Sequence, residues 1–198
     1  MRARTDIIER LAPHCDIEAR LAAAPSWARV RGVYFRAALQ ELTRRGLRPA
    51  FDRVFNEPER ATFTLYPVTD YLLRIAYAGA LIASPERVHD GLHELFRGNA
   101  LYFAQSLLGR GLLRLIARDP VRQLHQAIKS KRAVSNYGRW SVVAEGPGMV
   151  EVLHEDEYVW IESALAGGAL GGFEACGIHP TIQVQMRDPY NGSVIFRW

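Results

Sequence analysis

The stretch GRWSVVAEGPGMVEVLHEDEYVWIESALAGGALGGFEACGIHPTIQVQMRDPYNGSVIFRW, residues 138–198, decides the fold class. Trp140, Val142 and Ala144 alternate with Ser141 and Val143, the period of a strand with one buried face. Gly146-Pro147-Gly148 is a strong turn, and Met149 to Leu153 pairs back, so a hairpin is predicted. Glu155 to Gly177 reads as a helix with acidic residues in its first turn, where they suit the helix dipole. Thr181 to Met186 alternates again. Asp188-Pro189-Tyr190-Asn191-Gly192 carries the Asn-Gly turn signal, and Ser193 to Trp198 closes the sheet. The order is β-β-α-β-β.

The chain ahead of this stretch is almost entirely helical. Residues 5–23 show a broken amphipathic pattern (Ile7, Ile8, Leu11, then Ile17 and Leu21) interrupted by Pro13, which predicts two short helical pieces or a loose arm over residues 1–26. Trp27 to Val33 starts as an extended segment. Val33, Phe35, Leu39 and Leu42 give helical spacing that ends at Gly46. Pro49 opens a short helix over Ala50 to Phe55. Tyr66-Pro67 is a boundary, and Thr69 to Ala83 reads as a buried helix. Ser84-Pro85-Glu86 restarts the chain into a helix over 86–106. Gly109 and Gly111 mark a kink or break, with helix resuming over Leu112 to Ala117. Asp119-Pro120 caps and opens a further helix carrying Val121, Leu124, His125 and Ile128 on one side. The predicted fold is α+β: an N-terminal helical bundle packed on a C-terminal four-stranded antiparallel sheet. It is organised as one domain over 1–198, mainly helical over 27–137, with the sheet and its Gly-rich helix over 138–198.

The chain has 198 residues, 48% hydrophobic and 23% charged, ordinary values for a soluble globular protein with a core that needs no staples. Two cysteines, Cys15 and Cys176, are too few for a disulfide scaffold and suit a reducing cytoplasm. The most apolar stretch, Tyr71 to Ala83, is too short to span a bilayer and contains Arg74, so no membrane span is expected. The net charge of +4 is scattered. Its tight clusters, Arg44-Arg45-Arg48 and Lys129-Lys131-Arg132, fall at predicted helix ends as solvated termini, which argues against a nucleic-acid partner.

This layout, with Gly32-Val33-Tyr34-Phe35, Tyr66-Pro67, Leu108-Gly109-Arg110 and the terminal Phe196-Arg197-Trp198, resembles DUF2378, a paralogous family restricted to the Myxococcales. That family is similar to the V4R ligand-binding domains, the haem nitric-oxide-binding domains and the TRAPP vesicle-tethering subunits. The resemblance implies a TRAPP/V4R-like fold with a small-molecule or lipid pocket between helices and sheet, and dimerisation. It does not imply an activity.

The candidate chemistry is thin. The haem nitric-oxide-binding resemblance singles out His125 as a proximal ligand on the helix before the sheet. The propionate-holding Tyr-x-Ser-x-Arg of those domains is missing, the nearest stretch being Ser135-Asn136-Tyr137-Gly138-Arg139. V4R-type domains often pair cysteines near Cys176, but here only Cys176 and His179 stand together, two ligands where structural zinc takes four. His89 and His93 have i, i+4 spacing beside Glu94 without a third ligand. Gly167, Gly168, Gly171 and Gly172 lie within a helix rather than a phosphate loop, and glycines there imply close backbone approach. Glu155, Asp156, Glu157 and Glu162 read as a helix start. If a pocket exists, Tyr71, Phe103, Trp140, Trp160, Gly168, Gly172 and Phe173 are expected to line it.

No acid, base and nucleophile set is visible, so an enzyme is not expected. The favoured reading is a cytoplasmic, non-enzymatic regulatory or sensory domain that binds a small apolar ligand or a protein partner, as a homodimer. The alternative is a protein-interaction scaffold without ligand, and the third reading is a haem sensor using His125. No cofactor is expected from the residues, with haem or a lipid the two that the resemblance leaves open.

Overall fold

The computed structural model describes residues 2–56, 58–105 and 119–198. The expected break at Gly109 and Gly111 and the helix over Leu112 to Ala117 lie outside them. The chain divides into two compact units, Met1–Leu95 with Val134–Asn136, and Phe96–Ala133 with Tyr137–Trp198. Among the described residues no helix is long and apolar enough to cross a membrane.

The first unit is helical. α1 (Arg2–Leu11) and α2 (Ile17–Ala23) are the two pieces either side of Pro13, and Ile7, Leu11 and Ile17 are buried, so this segment is folded helix. β1 (Arg29–Arg31) pairs antiparallel with β2 (Leu65–Pro67), a strand too short for periodicity to announce. α3 (Gly32–Arg44) buries Phe35, Ala38 and Leu42. α4 (Arg48–Asp52) starts two residues before the predicted helix and ends three before its predicted end. α5 (Val68–Ile82) is the buried helix the sequence announces, with Leu72, Ile75, Ala76 and Ala78 fully buried. α6 (Val88–Gln105) follows a short 3-10 turn at Pro85–Arg87. α5 and α6 approach through glycines: a Cβ on Gly91 would lie 1.9 Å from the Gly79 carbonyl oxygen. Asn136 ties the later segment to this unit, its side chain accepting from Arg29 N at 2.6 Å and donating to Trp27 O at 3.0 Å.

The second unit holds the predicted sheet. α7 (Pro120–Val134) is capped as expected: Asp119 Oδ1 accepts from Val121 N at 3.0 Å and Arg122 N at 3.2 Å. β3 (Arg139–Gly146), β4 (Met149–Glu155), β5 (Thr181–Asp188) and β6 (Asn191–Arg197) form an antiparallel sheet in the order β3-β4-β6-β5. Alternation puts Val150, Val152, Val194 and Phe196 on one face, where they pack with Leu124, Ile161 and Phe173. Phe173 stacks on Phe196 at 4.8 Å between centroids.

One prediction is corrected. Glu155 to Gly177 is not a continuous helix. β4 runs to Glu155, Asp156 turns with φ 51°, and the chain stays non-helical to Trp160. A π turn (Ile161–Leu165) then leads into α8 (Ala166–Ala175). Glu155, Asp156 and Glu157 therefore lie ahead of any helix, and only Glu162 sits in a first helical turn, that of the π segment.

Candidate functional site

Two regions combine buried chemistry with defined geometry, one in each unit. In the first unit, α1 and α5 line a solvent-open cleft of about 190 Å³. Ile7 and Leu11, four apart on α1, face Tyr77, Ala80 and Leu81 of α5, with Val54 completing the wall. Asp6 and Arg10, also four apart, flank it as exposed charges. Tyr77 is fixed from behind by Phe51 and Phe55, at 6.0 and 5.7 Å between centroids. The space exceeds the roughly 150 Å³ of an engineered apolar cavity that admits benzene. A second cavity, of about 20 Å³, is lined by Phe35, Phe51, Phe55, Tyr71 and Arg74 among others and holds little more than a water.

In the second unit, α7 lays Val121, Leu124, Ile128 and Lys131 in one stripe, and the last of these is charged. Lys131 is nonetheless buried, and its Nζ lies 2.9 Å from Oε2 of the fully buried Glu157. The same oxygen accepts from Trp140 Nε1 at 2.8 Å, and Oε1 accepts from Val159 N at 3.1 Å. Lys131 Nζ also lies 3.9 Å from the centre of the Tyr137 ring, a cation–π contact. Gly138, at φ 67°, keeps the approach open, since a Cβ there would lie 2.8 Å from Glu157 Oε2. His154 completes the cluster, edge-on to Trp140 at 5.0 Å, with a buried Nδ1 that has no hydrogen-bond partner. Burial drives its imidazole down to about 4, and Lys131 pushes the same way while Glu157 opposes both. Lys131 is thus not a solvated helix terminus. Arg44 and Arg45 at the end of α3 are likewise bound, both to the buried Glu41 at 2.6 Å.

The sequence-selected residues are dispersed. His125 does not share the buried side of α7 with Leu124. It is half exposed, with Nε2 3.3 Å from Glu145 Oε2. Arg139, the arginine nearest the missing propionate pattern, is exposed and bonded to Glu155. An imidazole held at the surface by a carboxylate lacks the apolar face that axial ligation was expected to use, so these residues do not fit a haem held through His125. Tyr71 lines the smaller cavity, and Phe103 is half exposed. Trp140 belongs to the Lys131 cluster, while Trp160 and Phe173 are core. A Cβ on Gly168 would make ordinary contact with Phe96, and Gly172 sits against the Gln123 side chain. Cys176 is buried, with its Sγ donating to Gln123 Oε1 at 3.1 Å, while His179 is exposed. Among the described residues no three His, Cys, Asp or Glu groups are placed to hold a metal. Neither cysteine is joined in a disulfide, and burial pushes the Cys15 thiol up to about 11.

A helical unit joined to a helix-backed four-stranded antiparallel sheet is an α+β architecture with solved counterparts. The Fe(II) unliganded H-NOX protein from K. algicida superimposes at TM-score 0.65 with 14% identity, covering 84% of this chain and 95% of that one, as does a point mutant of it. A structure described under "Modulating Heme Redox Potential Through Protein-Induced Porphyrin Distortion" gives TM-score 0.66 and 10% identity, over 85% of this chain and 99% of that one. These likenesses are of fold. No curated protein matches the chain. The chain belongs to the family described as "Protein of unknown function (DUF2378)", whose model matches residues 26–198.

Proposed function

We propose that this protein is a non-enzymatic sensory or regulatory domain whose ligand is a small apolar molecule held between α1 and α5. The cleft of about 190 Å³ carries this reading. Its walls are aliphatic apart from the Tyr77 ring, and its charges, Asp6 and Arg10, stand at the margin. The volume suits a ligand of one or two rings or a short branched chain rather than the larger compounds that fill 300–1,000 Å³ sites. Such a ligand touches α1 and α5 together, so it favours whichever state keeps α1 docked. Regulation requires that affinity differ between docked and undocked states. The likeness to H-NOX structures supports a sensory architecture, and the surface position of His125 separates this proposal from haem ligation through that residue.

The test is the mass of the purified protein under native and denaturing conditions, together with its absorption spectrum. The proposal expects a colourless protein that either carries a small apolar passenger lost on denaturation or accepts one on titration with indole. A Soret band abolished by His125→Ala would overturn it in favour of haem.

A further inference from the structure

The two edges of the four-stranded sheet are built differently. β3 is blunted: its pairing with β4 slips between Val142 and Ala144, Val143 bulges out half exposed, and Arg139 and Glu145 place charges along it. Bulges and charges are how natural sheets protect an edge. β5 has neither over its first six residues. Thr181 to Met186 pairs regularly with β6, contains no charge and no proline, and slips only between Met186 and Asp188. Ile182 and Val184 sit on the core face but are only half covered, at the margin of the Phe173–Phe196 cluster. Thr181, Gln183 and Gln185 are exposed on the other face.

We infer that β5 is a homodimerisation edge, on which β5 of a second copy of this chain pairs antiparallel about a twofold axis through Gln183. The pattern is self-complementary in that register. A twofold axis perpendicular to the sheet keeps each side chain on its own face, so facing residue numbers must sum to an even value. Centred on Gln183, Ile182 of each copy faces Val184 of the other, completing the half-covered end of both apolar layers. On the polar face Thr181 meets Gln185 twice and Gln183 meets itself, and no like charges are opposed within the pair. The two sheets become one of eight strands, four from each copy. Such a twofold contact closes on itself and leaves the two blunted β3 strands outermost. Pairing of one short strand belongs to the small interfaces, under about 1,200 Å², so the dimer is expected to dissociate in the micromolar range.

Sedimentation velocity over a concentration series of the full chain tests this. The wild type should shift from monomer to dimer as concentration rises. Thr181→Lys with Gln185→Lys puts like charges opposite each other twice and should weaken the dimer about tenfold or more. Thr181→Glu with Gln185→Glu should do the same, and mixing the two doubly substituted proteins should restore a heterodimer. Val143→Lys on the other edge should leave the dimer unchanged. Circular dichroism checks that each variant is folded. If the lysine pair does not fold, Gln183→Lys, which opposes like charges at the axis, takes its place. A wild type that stays monomeric, a dimer indifferent to both charge pairs, or no recovery on mixing would each overturn the inference.

Discussion

Replacing Lys131 with methionine should cost this protein a large part of its stability, and the reason lies in what is left behind. Glu157 is fully buried, and its carboxylate is neutralised by Lys131 Nζ at 2.9 Å. Trp140 Nε1 and Val159 N would remain as donors, but neither carries charge. Breaking a buried pair from one side typically costs about 3–5 kcal/mol because the remaining charge is uncompensated. Against a total stability of roughly 5–15 kcal/mol, that is enough to lower the melting temperature by about 6–20 °C. Lys131→Met combined with Glu157→Gln should recover most of the loss, since an amide oxygen still accepts a hydrogen bond and no charge is stranded. Urea unfolding of the wild type, both single variants and the double variant forms the assay, with the coupling energy taken from the cycle. A single-variant cost below about 1 kcal/mol, or a double variant as weak as the sum of the singles, would refute the reasoning.

His154 predicts an acid dependence. Its folded value of about 4 lies below the ordinary 6.5, so between those limits the unfolded chain binds more protons. Stability is therefore complete above about pH 6.5 and falls as pH drops toward 4, by roughly 3 kcal/mol in all, and His154→Leu should flatten that part of the stability–pH curve. The glycines of α8 should separate in thermal melts. Gly168→Ala meets only ordinary contacts and should gain up to about 1 kcal/mol from helix propensity, whereas Gly171→Ala brings a Cβ to 2.5 Å from the Arg97 carbonyl oxygen and should lower the melting temperature. Gly91→Ala, facing the Gly79 backbone at 1.9 Å, should be the most damaging of the three. His125→Ala removes only a surface contact to Glu145 and should change stability by no more than about 0.5 kcal/mol, with an unaltered absorption spectrum.

Much of the fold is written in local pattern. The strand periods around Gly146-Pro147-Gly148 and the Asn191-Gly192 turn give the four strands and their two hairpins, whereas the β4–β6 pairing that joins the hairpins is a tertiary contact with no local sign. Pro67 and Asp119-Pro120 set the starts of α5 and α7 by restricting the backbone before them. The acidic run after β4 misleads because Glu157 answers a tertiary demand. Its partner, Lys131, lies on another element, and a carboxylate paired across the fold looks in sequence like one paired with a helix dipole. A local sign of that pairing exists nonetheless: Lys131 continues the stripe of Val121, Leu124 and Ile128, a position where a solvated lysine does not belong. The cleft is harder to read. The Ile7 and Leu11 spacing announces an apolar face on α1, but that this face leaves space against Tyr77, Ala80 and Leu81 depends on how two helices distant in sequence pack. Aromatic residues chosen for size rather than placement, such as Trp160 and Phe173, prove to be core.

The cleft between α1 and α5 is tested most directly by thermal unfolding of the wild type and of Ala80→Phe, each with and without saturating indole. Ala80→Phe fills the space with a ring and should fold without needing a ligand. Indole should stabilise the wild type, by about 2.7 kcal/mol at a hundredfold excess over its dissociation constant, and leave Ala80→Phe unchanged. Equal stabilisation of both proteins, or of neither, would contradict a ligand site in the cleft.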